Sequence, residues 1–476
     1  MKKLFLNILL ILVAVFTLVG CNEEGKLPSS QTPTVEVPKT EIPVGTPTVE
    51  VPTPTPTVSD VKELTEATAA EAKKCFDFFW ERANKTLTSK GYGLIPDRYP
   101  NNGLASIASS GFGLTAIPIG VENGWITYEQ GYERVLTTLQ AMKGLERHGG
   151  FFYHFYNYYN GEVASNSEVS NIDTAIFLCG ALFAGQYYGG EIQKLAYEYY
   201  DEVNWPWYIN PVTNQFYMSC KPQKDSQGNV TSYKFEGAWD FYGEQLMMYF
   251  LAAGSRTYPI DVTVYDAFEK HYGTYKSYTF INSWFGSIFT YQFSHAWIDF
   301  RNIVDKDGID WYENSVKATY ASQKYCIDQS YRYDTFSALS WGLTACDGPK
   351  GYSGYYGAPA SGRDNTAHKT DGTVALCGAI GSICFAPEIV IPTIDYFYTA
   401  LEGDLFDEDG YGFLDSYNVG LAAYPYGWVA EDVIGIDKGV SLLMIENYRS
   451  EFVWEVFMEC EFMDRAIEVL QFNEKQ

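Results

Sequence analysis

The chain has 476 residues, a formal net charge of −26 and an aromatic content of 17%. The acidic balance excludes nucleic-acid binding and docking on anionic lipid headgroups, because both need a basic surface. An acidic protein does not repel a neutral polysaccharide, and aromatic side chains cover the apolar faces of sugar rings.

The first residues predict an export signal. Lys2 and Lys3 precede an apolar run over residues 4–19, and the run ends at Gly20 and Cys21 in the segment Leu-Val-Gly-Cys. This ending is typical of the lipobox of a bacterial lipoprotein. We therefore predict a lipoprotein signal peptide over residues 1–21, lipidation of Cys21, and export to the outer face of the cell membrane. A plain signal peptide or an uncleaved helix is the alternative, although a span usually needs about 20 apolar residues.

A tether is predicted over residues 22–60. This segment is rich in Pro and Thr, and the sequence Pro-Thr-Val-Glu-Val-Pro occurs at 33–38 and again at 47–52. Such a composition cannot bury a core, so it stays extended. No second linker follows, and we expect residues 61–476 to form one large catalytic domain.

Helical periodicity dominates that domain. Apolar residues recur at steps of three and four, as in residues 127–147. The predicted helices cover residues 61–83, 111–122, 127–147, 171–187, 191–202, 239–253, 311–326, 335–344, 373–384, 388–401, 438–448 and 451–470. Residues 216–218 and 230–234 are predicted to pair as a small hairpin. About a dozen helices joined by Gly-rich and aromatic loops favour an all-α fold, an (α/α)6 toroid with minor β-hairpins. Residues 171–187 and 239–253 resemble inner helices of such a ring, and residues 127–147 and 311–326 resemble outer ones.

Two carboxylates within apolar helical stretches are candidate catalytic residues. Asp173 falls in the first turn of its helix, where capping is the alternative explanation. Glu244 is predicted in the middle of a helix, with Asp240 four residues earlier. Two close carboxylates raise one pKa, as a general acid requires. The alternative is a buried Glu paired with an Arg.

A second carboxylate is expected near the C-terminus. Glu431, Asp432 and Asp437 sit where the last inner helix should begin, and ordinary capping explains at least one of them. The sequence does not separate these three as candidates for a general base.

Several aromatic and acidic residues are candidates for binding substrate. Tyr352 and Asp347 belong to a loop rich in Gly and Tyr, for which an irregular surface turn is the alternative. Trp284 and Trp428 offer faces for sugar rings. Asp299 and Glu446 complete the set, although Asp299 and Arg301 are equally able to pair with each other.

The remaining reactive residues indicate no cofactor. The five histidines lack zinc-ligand spacing, and no two cysteines form a Cys-x-x-Cys pair. We expect the cysteines other than Cys21 to be buried small side chains, with any disulfide pairing left open.

An ordered series of short motifs resembles the bacterial glucoamylase-like family, which includes the endo-β-1,2-glucanases of glycoside hydrolase family 144. The series covers about residues 85–455 and includes Gly-Leu-Ile-Pro-Asp-Arg at 93–98, Phe-Phe-Tyr-His-Phe at 151–155, Ile-Asp-Thr-Ala at 172–175, Trp-Phe-Gly-Ser at 284–287, Thr-Ala-Cys-Asp-Gly-Pro at 344–349, Phe-Ala-Pro-Glu at 385–388 and Ile-Glu-Asn-Tyr-Arg at 445–449. The resemblance implies an (α/α)6 toroid and an inverting glycoside hydrolase, with important carboxylates at Asp173 and Glu244. Gly243 departs from the pattern, in which a small hydroxyl residue is expected.

These observations lead to one hypothesis and two alternatives. The hypothesis is a monomeric surface lipoprotein that hydrolyses a glucan, best fitted by a β-1,2 linkage, with inversion and without metal or cofactor. Glu244 delivers the proton, directly or through a sugar hydroxyl, and one of the C-terminal carboxylates activates water. The alternatives are a non-catalytic glycan-binding lipoprotein that feeds a transporter, and a polysaccharide lyase on the same toroid.

Overall fold

Helices supply most of the regular structure. The computed structural model describes residues 61–101, 103–362 and 370–475. The α-helices found there are α1 Glu66–Arg82, α2 Ile107–Glu122, α3 Tyr128–Met142, α4 Asn171–Tyr188, α5 Gly190–Glu202, α6 Leu246–Gly254, α7 Val262–Asp266, α8 Trp311–Gln329, α9 Leu376–Ile380, α10 Pro387–Thr399, α11 Gly435–Ser450, α12 Phe452–Met458 and α13 Phe462–Leu470. The prediction of a helix-rich domain with minor strands is confirmed.

The strands are short and form small antiparallel sheets. In chain order they are β1 Ile95–Pro96, β2 Arg98–Tyr99, β3 Leu104–Ser106, β4 Arg147–His148, β5 Phe151–Phe152, β6 Phe155–Asn157, β7 Val169–Ser170, β8 Ser219–Lys224, β9 Val230–Glu236, β10 Tyr272–Tyr275, β11 Tyr278–Ile281, β12 Ile303–Val304, β13 Cys346–Gly348, β14 Gly351–Ser353, β15 Val374–Ala375, β16 Phe406–Asp407, β17 Gly412–Phe413, β18 Ser416–Asn418, β19 Trp428–Val429, β20 Val433–Ile434 and β21 Asn473–Glu474. The three-stranded sheets are β1-β3-β6, β7-β8-β9 and β15-β18-β19. Four of these strands end directly before helices and fix where those helices begin: β3 before α2, β7 before α4, β15 before α9 and β20 before α11.

The core is built on helices that are apolar all round. Nearly every residue of α2, α4 and α6 is buried, whereas α3 buries one face and exposes the other. The backbones of α2 and α4 approach closely at two glycines, since a Cβ on Gly180 would lie 1.9 Å from the carbonyl oxygen of Gly111. The expected contrast between apolar and amphipathic helices is therefore present.

The two ends of the domain meet. Strand β2 pairs with β20, with Arg98 opposite Ile434 and Tyr99 opposite Val433. Helices α1 and α11 are joined by a buried ion pair in which Lys438 Nζ donates to Glu71 Oε1 at 2.8 Å. The pairing brings residues near 98 and near 434 to the same place.

Several predicted elements differ from the observed ones because tertiary contacts override local preference. The stretch 335–344 is not helical, since Gly342 has φ +121° and packs closely against Ala375. The stretch 373–384 contains only α9, because β15 pairs with β18 before it. The stretch 451–470 is divided into α12 and α13, and the hairpin forms from β8 and β9 rather than from residues 216–218.

No described helix combines the length and the apolarity that a membrane crossing requires. The predicted signal peptide, Cys21 and the tether lie outside the described residues. Each of the eight other cysteines is a free thiol, and all are buried except the half-buried Cys384.

Candidate active site

Carboxylates from distant parts of the chain converge where several helices begin. Asp173 lies in the first turn of α4, and Asp437 lies in the first turn of α11. Glu244 precedes α6 by two residues, and Arg98 joins this region through β2. The positive ends of the helices favour negative charge at these places.

Arg98 holds three of the carboxylates. Its Nη1 lies 3.0 Å from Asp347 Oδ2 and 3.0 Å from Asp432 Oδ2, and its Nε lies 3.5 Å from Asp97 Oδ2. Burial works against the charge of Arg98, but Asp347, Asp97 and Asp432 together raise its pKa above the usual value. The pKa of Asp347 is also raised, because burial outweighs the attraction of Arg98.

His154 bridges two further carboxylates. Its Nδ1 lies 2.9 Å from Glu168 Oε1, and its Nε2 lies 3.7 Å from Asp173 Oδ1. Burial alone lowers the pKa of His154, but Asp173, Glu168 and Asp97 raise it to about 9. The imidazole is therefore a cation at neutral pH. Sequence reasoning tested His154 only for zinc spacing and missed this role, although the residue lies in one of the motifs that carry the family resemblance.

Asp173 takes part in capping and also faces the site. Ser170 is the N-cap of α4, its Oγ accepts the Asp173 N–H at 3.3 Å, and it donates to Asp173 Oδ2 at 2.5 Å. The other carboxylate oxygen faces His154. A role in capping α4 and a role in the site, the two explanations that the sequence left open for Asp173, are thus compatible.

Glu244 is positioned by a turn rather than by a helix. The prediction of a mid-helix position is wrong, because Asp240 O accepts the Glu269 N–H and Phe241 bridges to Glu269, so residues 239–242 are extended. Ser294 Oγ donates to Glu244 O at 2.7 Å and anchors the turn.

The electrostatic surroundings of Glu244 suit a general acid. Burial is the main cause that raises the pKa of Glu244 to about 7, and Asp173 adds to it. Asp240, which the sequence suggested for this role, is exposed. The carboxyl is half-buried, and in the described part of the chain no cation lies in ion-pair contact with it. The described residues thus contain no Glu–Arg pair at this position.

Asp437 lies near a second buried carboxyl that sequence reasoning did not select. Asp437, Asp415 and Cys377 line the same small cavity, and Asp415 Oδ2 accepts the Asp347 N–H at 2.6 Å. Burial raises the pKa of both carboxyls, most strongly for Asp415, which is only 4% exposed. In the sequence, Asp415 has the same feature that singled out Glu244, namely a single carboxylate beside apolar residues.

Aromatic rings border the acidic cluster. Tyr352 is 47% exposed, and its ring lies 5.9 Å from the Arg98 guanidinium carbon. Trp284 is 43% exposed and packs edge-on against Phe241, with 5.4 Å between ring centroids. Trp428 is half-buried at the start of β19. Rings with accessible faces beside carboxylates suit a sugar ligand.

Residues 236–461 match the model of the family Glycoamylase, described as "Putative glucoamylase". This part of the chain is glucoamylase-like. The resemblance inferred from the motifs is confirmed, including its likeness to β-1,2-glucanases.

One curated relative and two solved structures define that likeness further. The exo-β-1,2-glucooligosaccharide sophorohydrolase (non-reducing end) of Parabacteroides distasonis is 26% identical over 434 residues, which cover 83% of this chain. The chain spans only 56% of that relative's length. The endo-β-1,2-glucanase of Chitinophaga pinensis, solved with sophorotriose and glucose, is 25% identical with a TM-score of 0.73, covering 86% of this chain and 98% of the other. A Bacteroides uniformis protein named as a putative glucoamylase is 26% identical with a TM-score of 0.73, covering 87% and 99%.

Two of the predicted binding residues lie in ion pairs away from Asp437. Asp299 is bound by Arg301, which also pairs with Glu451 at the end of α11. Glu446 is 3% exposed and bonded to Arg449, at the same end of that helix. Asp437 lies in the first turn of α11, so about 14 Å of helix separates it from Glu446. In the described structure both carboxylates are therefore engaged in ion pairs with arginines.

The three candidates for the base differ in their surroundings. Glu431 is exposed, Asp432 is held by Arg98, and Asp437 lines a small cavity with Asp415. Within the described residues no cluster of His, Cys, Asp and Glu has the arrangement of a metal site.

Proposed function

We propose that this chain is a cell-surface lipoprotein whose glucoamylase-like domain hydrolyses β-1,2-linked glucan with inversion of the anomeric configuration. Glu244 is the general acid and Asp437 is the general base. The domain has the ring arrangement of an (α/α)6 toroid, with α2, α4, α6 and α11 directing their starts at the substrate.

The observation that carries this proposal is the environment of Glu244. A carboxyl with a pKa of about 7 still holds its proton near neutral pH, so it is able to protonate a leaving oxygen. Among the described residues no cation lies in ion-pair contact with this half-buried carboxyl, whereas a purely structural carboxylate in a core is paired. Burial of a charge without a partner is costly, and such sites are retained for function.

The choice of Asp437 rests on the exclusion of its neighbours. Glu431 is exposed, so burial does not orient its side chain, and Asp432 accepts a hydrogen bond from Arg98. Asp437 sits at the N-terminus of α11, where the helix dipole favours the ionised form that accepts a proton from water. An inverting mechanism requires the acid and base carboxyls to be about 6.5–9.5 Å apart, so that water fits between them.

The linkage is inferred from relatives and from charge. The sophorohydrolase and the endo-glucanase named above both act on β-1,2-linked glucose. A neutral substrate suits the site, because the cations Arg98, His154 and Lys438 are each already paired with carboxylates. The same pairing leaves no free cation among them for a uronic acid, which argues against the lyase. Asp173, Asp347, Tyr352, Trp284 and Trp428 are proposed to contact the glucan.

A panel of linkage-defined glucans tests the reaction. The purified protein is incubated with each glucan, new reducing ends are measured, and proton NMR of the first products reports the anomer. We expect products from β-1,2-glucan, released as the α-anomer. Binding without new reducing ends would support the glycan-binding lipoprotein, and an unsaturated product absorbing in the ultraviolet would support the lyase.

Two Glu-to-Gln variants isolate the acid. Glu244→Gln is expected to fold and to lose at least about 100-fold in kcat, because one general acid contributes this much. Glu468→Gln, at an exposed position of α13, is the matched control. Full activity in Glu244→Gln would remove Glu244 from the mechanism.

Surface attachment is tested separately. Cells that express the chain are labelled with a clickable fatty acid, and the wild-type protein should carry the label and resist release from membranes. Cys21→Ser should lose both properties. Labelling that persists in Cys21→Ser would contradict the lipoprotein proposal without affecting the proposed reaction.

A further inference from the structure

Two polar groups at the start of α4 face each other without forming a hydrogen bond. His154 Nε2 and Asp173 Oδ1 lie 3.7 Å apart, which is beyond hydrogen-bond distance. Within the described part of the chain, the side-chain hydrogen bonds of these residues go to the other atoms, Nδ1 of His154 and Oδ2 of Asp173. The two side chains are 29% and 13% exposed, so a ligand is able to reach them.

The imidazole of His154 is held so that Nε2 faces Asp173. Its Nδ1–H donates to Glu168 Oε1 at 2.9 Å, and the backbone N–H of His154 donates to Glu168 O at 2.9 Å. The ring stacks on Phe155, with 3.6 Å between centroids and 21° between planes. Glu168, Asp173 and Asp97 surround the ring with negative charge, which favours the imidazolium. An imidazolium has a hydrogen on both nitrogens, so Nε2–H is a donor without an acceptor at hydrogen-bond distance among the described residues.

The carboxylate of Asp173 is held with equal firmness. Ser170 Oγ donates to Asp173 Oδ2 at 2.5 Å and accepts the Asp173 N–H at 3.3 Å. These bonds fix the plane of the carboxylate and leave Oδ1 as an acceptor toward His154. Asp173 also acts electrostatically on Glu244, so this acceptor lies in the surroundings of the proposed acid.

A donor and an acceptor at this separation match two adjacent hydroxyls of a sugar ring. One hydroxyl donates to Asp173 Oδ1 and its neighbour accepts from His154 Nε2–H, each at about 2.8 Å. In a β-1,2-linked chain O2 carries the linkage, so the hydroxyls at C3 and C4 of every internal unit are free and adjacent. In a β-1,3 or β-1,4 chain one of those two oxygens carries the next unit. The pair therefore discriminates against internal units of these two chains, whereas a β-1,6 chain keeps both hydroxyls.

We propose that His154 and Asp173 together bind the C3 and C4 hydroxyls of one glucosyl unit, and that Glu168 is a positioning residue that keeps the His154 Nε2–H directed at that unit. This inference rests on the function proposed above and deepens it, because it names the substrate groups that the site recognises. Glu168 does not touch the sugar and acts only through the imidazole.

Calorimetry with a β-1,2-linked glucopentaose tests the contact without turnover, in the Glu244→Gln background. Adding His154→Phe keeps a planar ring beside Phe155 but removes the donor, so the affinity should fall at least about 10-fold. Unchanged affinity in this variant would overturn the contact.

Substitutions of Glu168 in the same background test its positioning role. Glu168→Gln still accepts from Nδ1–H, so the affinity should fall no more than about threefold, whereas Glu168→Ala should approach the loss in His154→Phe. Glu162→Ala is the matched control, because Glu162 is exposed in the same connection between β6 and β7. Equal losses in Glu168→Gln and Glu168→Ala would overturn the positioning role.

NMR of the full-length protein labelled with ¹⁵N-histidine tests which hydroxyls are bound. The His154 Nε2 resonance, assigned from its disappearance in His154→Phe, should shift when the β-1,2-linked glucopentaose is added. It should stay in place with the β-1,3-linked and β-1,4-linked pentaoses. The same shift with all three would overturn the assignment to C3 and C4, and no shift despite binding would overturn the contact. If the resonance shifts as expected but the wild-type protein releases no reducing ends, only the proposed hydrolysis fails. If none of the pentaoses binds, both proposals fail.

Discussion

Arg98, near the beginning of the domain sequence, forms an ion pair with Asp432, near its end, with 3.0 Å between Arg98 Nη1 and Asp432 Oδ2. Arg98 lies on β2, and Asp432 directly precedes β20. These two strands pair with each other and bring the beginning of the domain against its end. The same nitrogen also reaches Asp347. One guanidinium thus holds three distant segments at the edge of the proposed active site.

Replacing Arg98 should destabilise the fold. Arg98→Met leaves Asp347, Asp432 and Asp97 close together without a counter-charge, so the free energy of unfolding should fall by about 3 kcal/mol. Urea denaturation followed by tryptophan fluorescence measures this. Adding Asp432→Asn to Arg98→Met should recover part of the loss, because one uncompensated charge is removed. A double variant that is additively worse would argue against this ion cluster.

The activity and stability of the protein should respond to the titration of Glu244. The folded pKa of about 7 lies above the usual value of 4.5, so proposed turnover should fall as the pH rises through about 7. The ionised buried carboxyl also destabilises the folded state above that pH. Glu244→Gln should therefore be more stable than wild type by up to about 3 kcal/mol at pH 8, with no gain below pH 4.5.

Thermal unfolding of wild type and Glu244→Gln between pH 4 and pH 9 checks the sign. The two melting temperatures should separate as the pH rises, with the variant higher. A constant difference across this range would mean that Glu244 has no raised pKa in the folded protein.

The charge of His154 should stabilise the fold over a defined pH window. Its folded pKa of about 9 exceeds the usual value of 6.5, so the contribution is complete below pH 6.5 and is lost as the pH rises through 9. His154→Gln should lower the free energy of unfolding by up to about 3 kcal/mol at pH 6. The difference should shrink at pH 10. Titration of the His154 imidazole by NMR near 6.5 would contradict the ion pair.

Gly243 offers a stabilising substitution. A Cβ built there lies 3.0 Å from Gln245 Oε1, an acceptor that is buried without a hydrogen-bond partner among the described residues. Gly243→Ser should supply a donor to it and reduce the entropy of the unfolded chain, raising the free energy of unfolding by about 1 kcal/mol. Gly243→Ala is the control, because it makes the same close Cβ contact and shares the entropic effect but has no hydroxyl. Equal stability of the two variants would show that the hydroxyl makes no bond to Gln245.

The sequence alone was sufficient for the helix-rich class, the apolar character of α4, the amphipathic pattern of α3 and the family resemblance. These features depend on local periodicity and on ordered motifs, which are visible in the sequence without knowledge of tertiary contacts. The selection of Glu244 also came from the sequence, although the reasoning placed it inside a helix and credited Asp240 with raising its pKa.

Only the tertiary structure decided which charges meet. Asp299 and Glu446 look like site carboxylates in the sequence, yet each is bonded to an arginine at the far end of α11. Asp415 and His154 were not selected as site residues, yet His154 lies against Glu168 and Asp173, and Asp415 accepts the backbone N–H of Asp347. Electrostatic interactions and burial depend on distance in space, and residues hundreds of positions apart become neighbours only when β2 pairs with β20 and closes the domain.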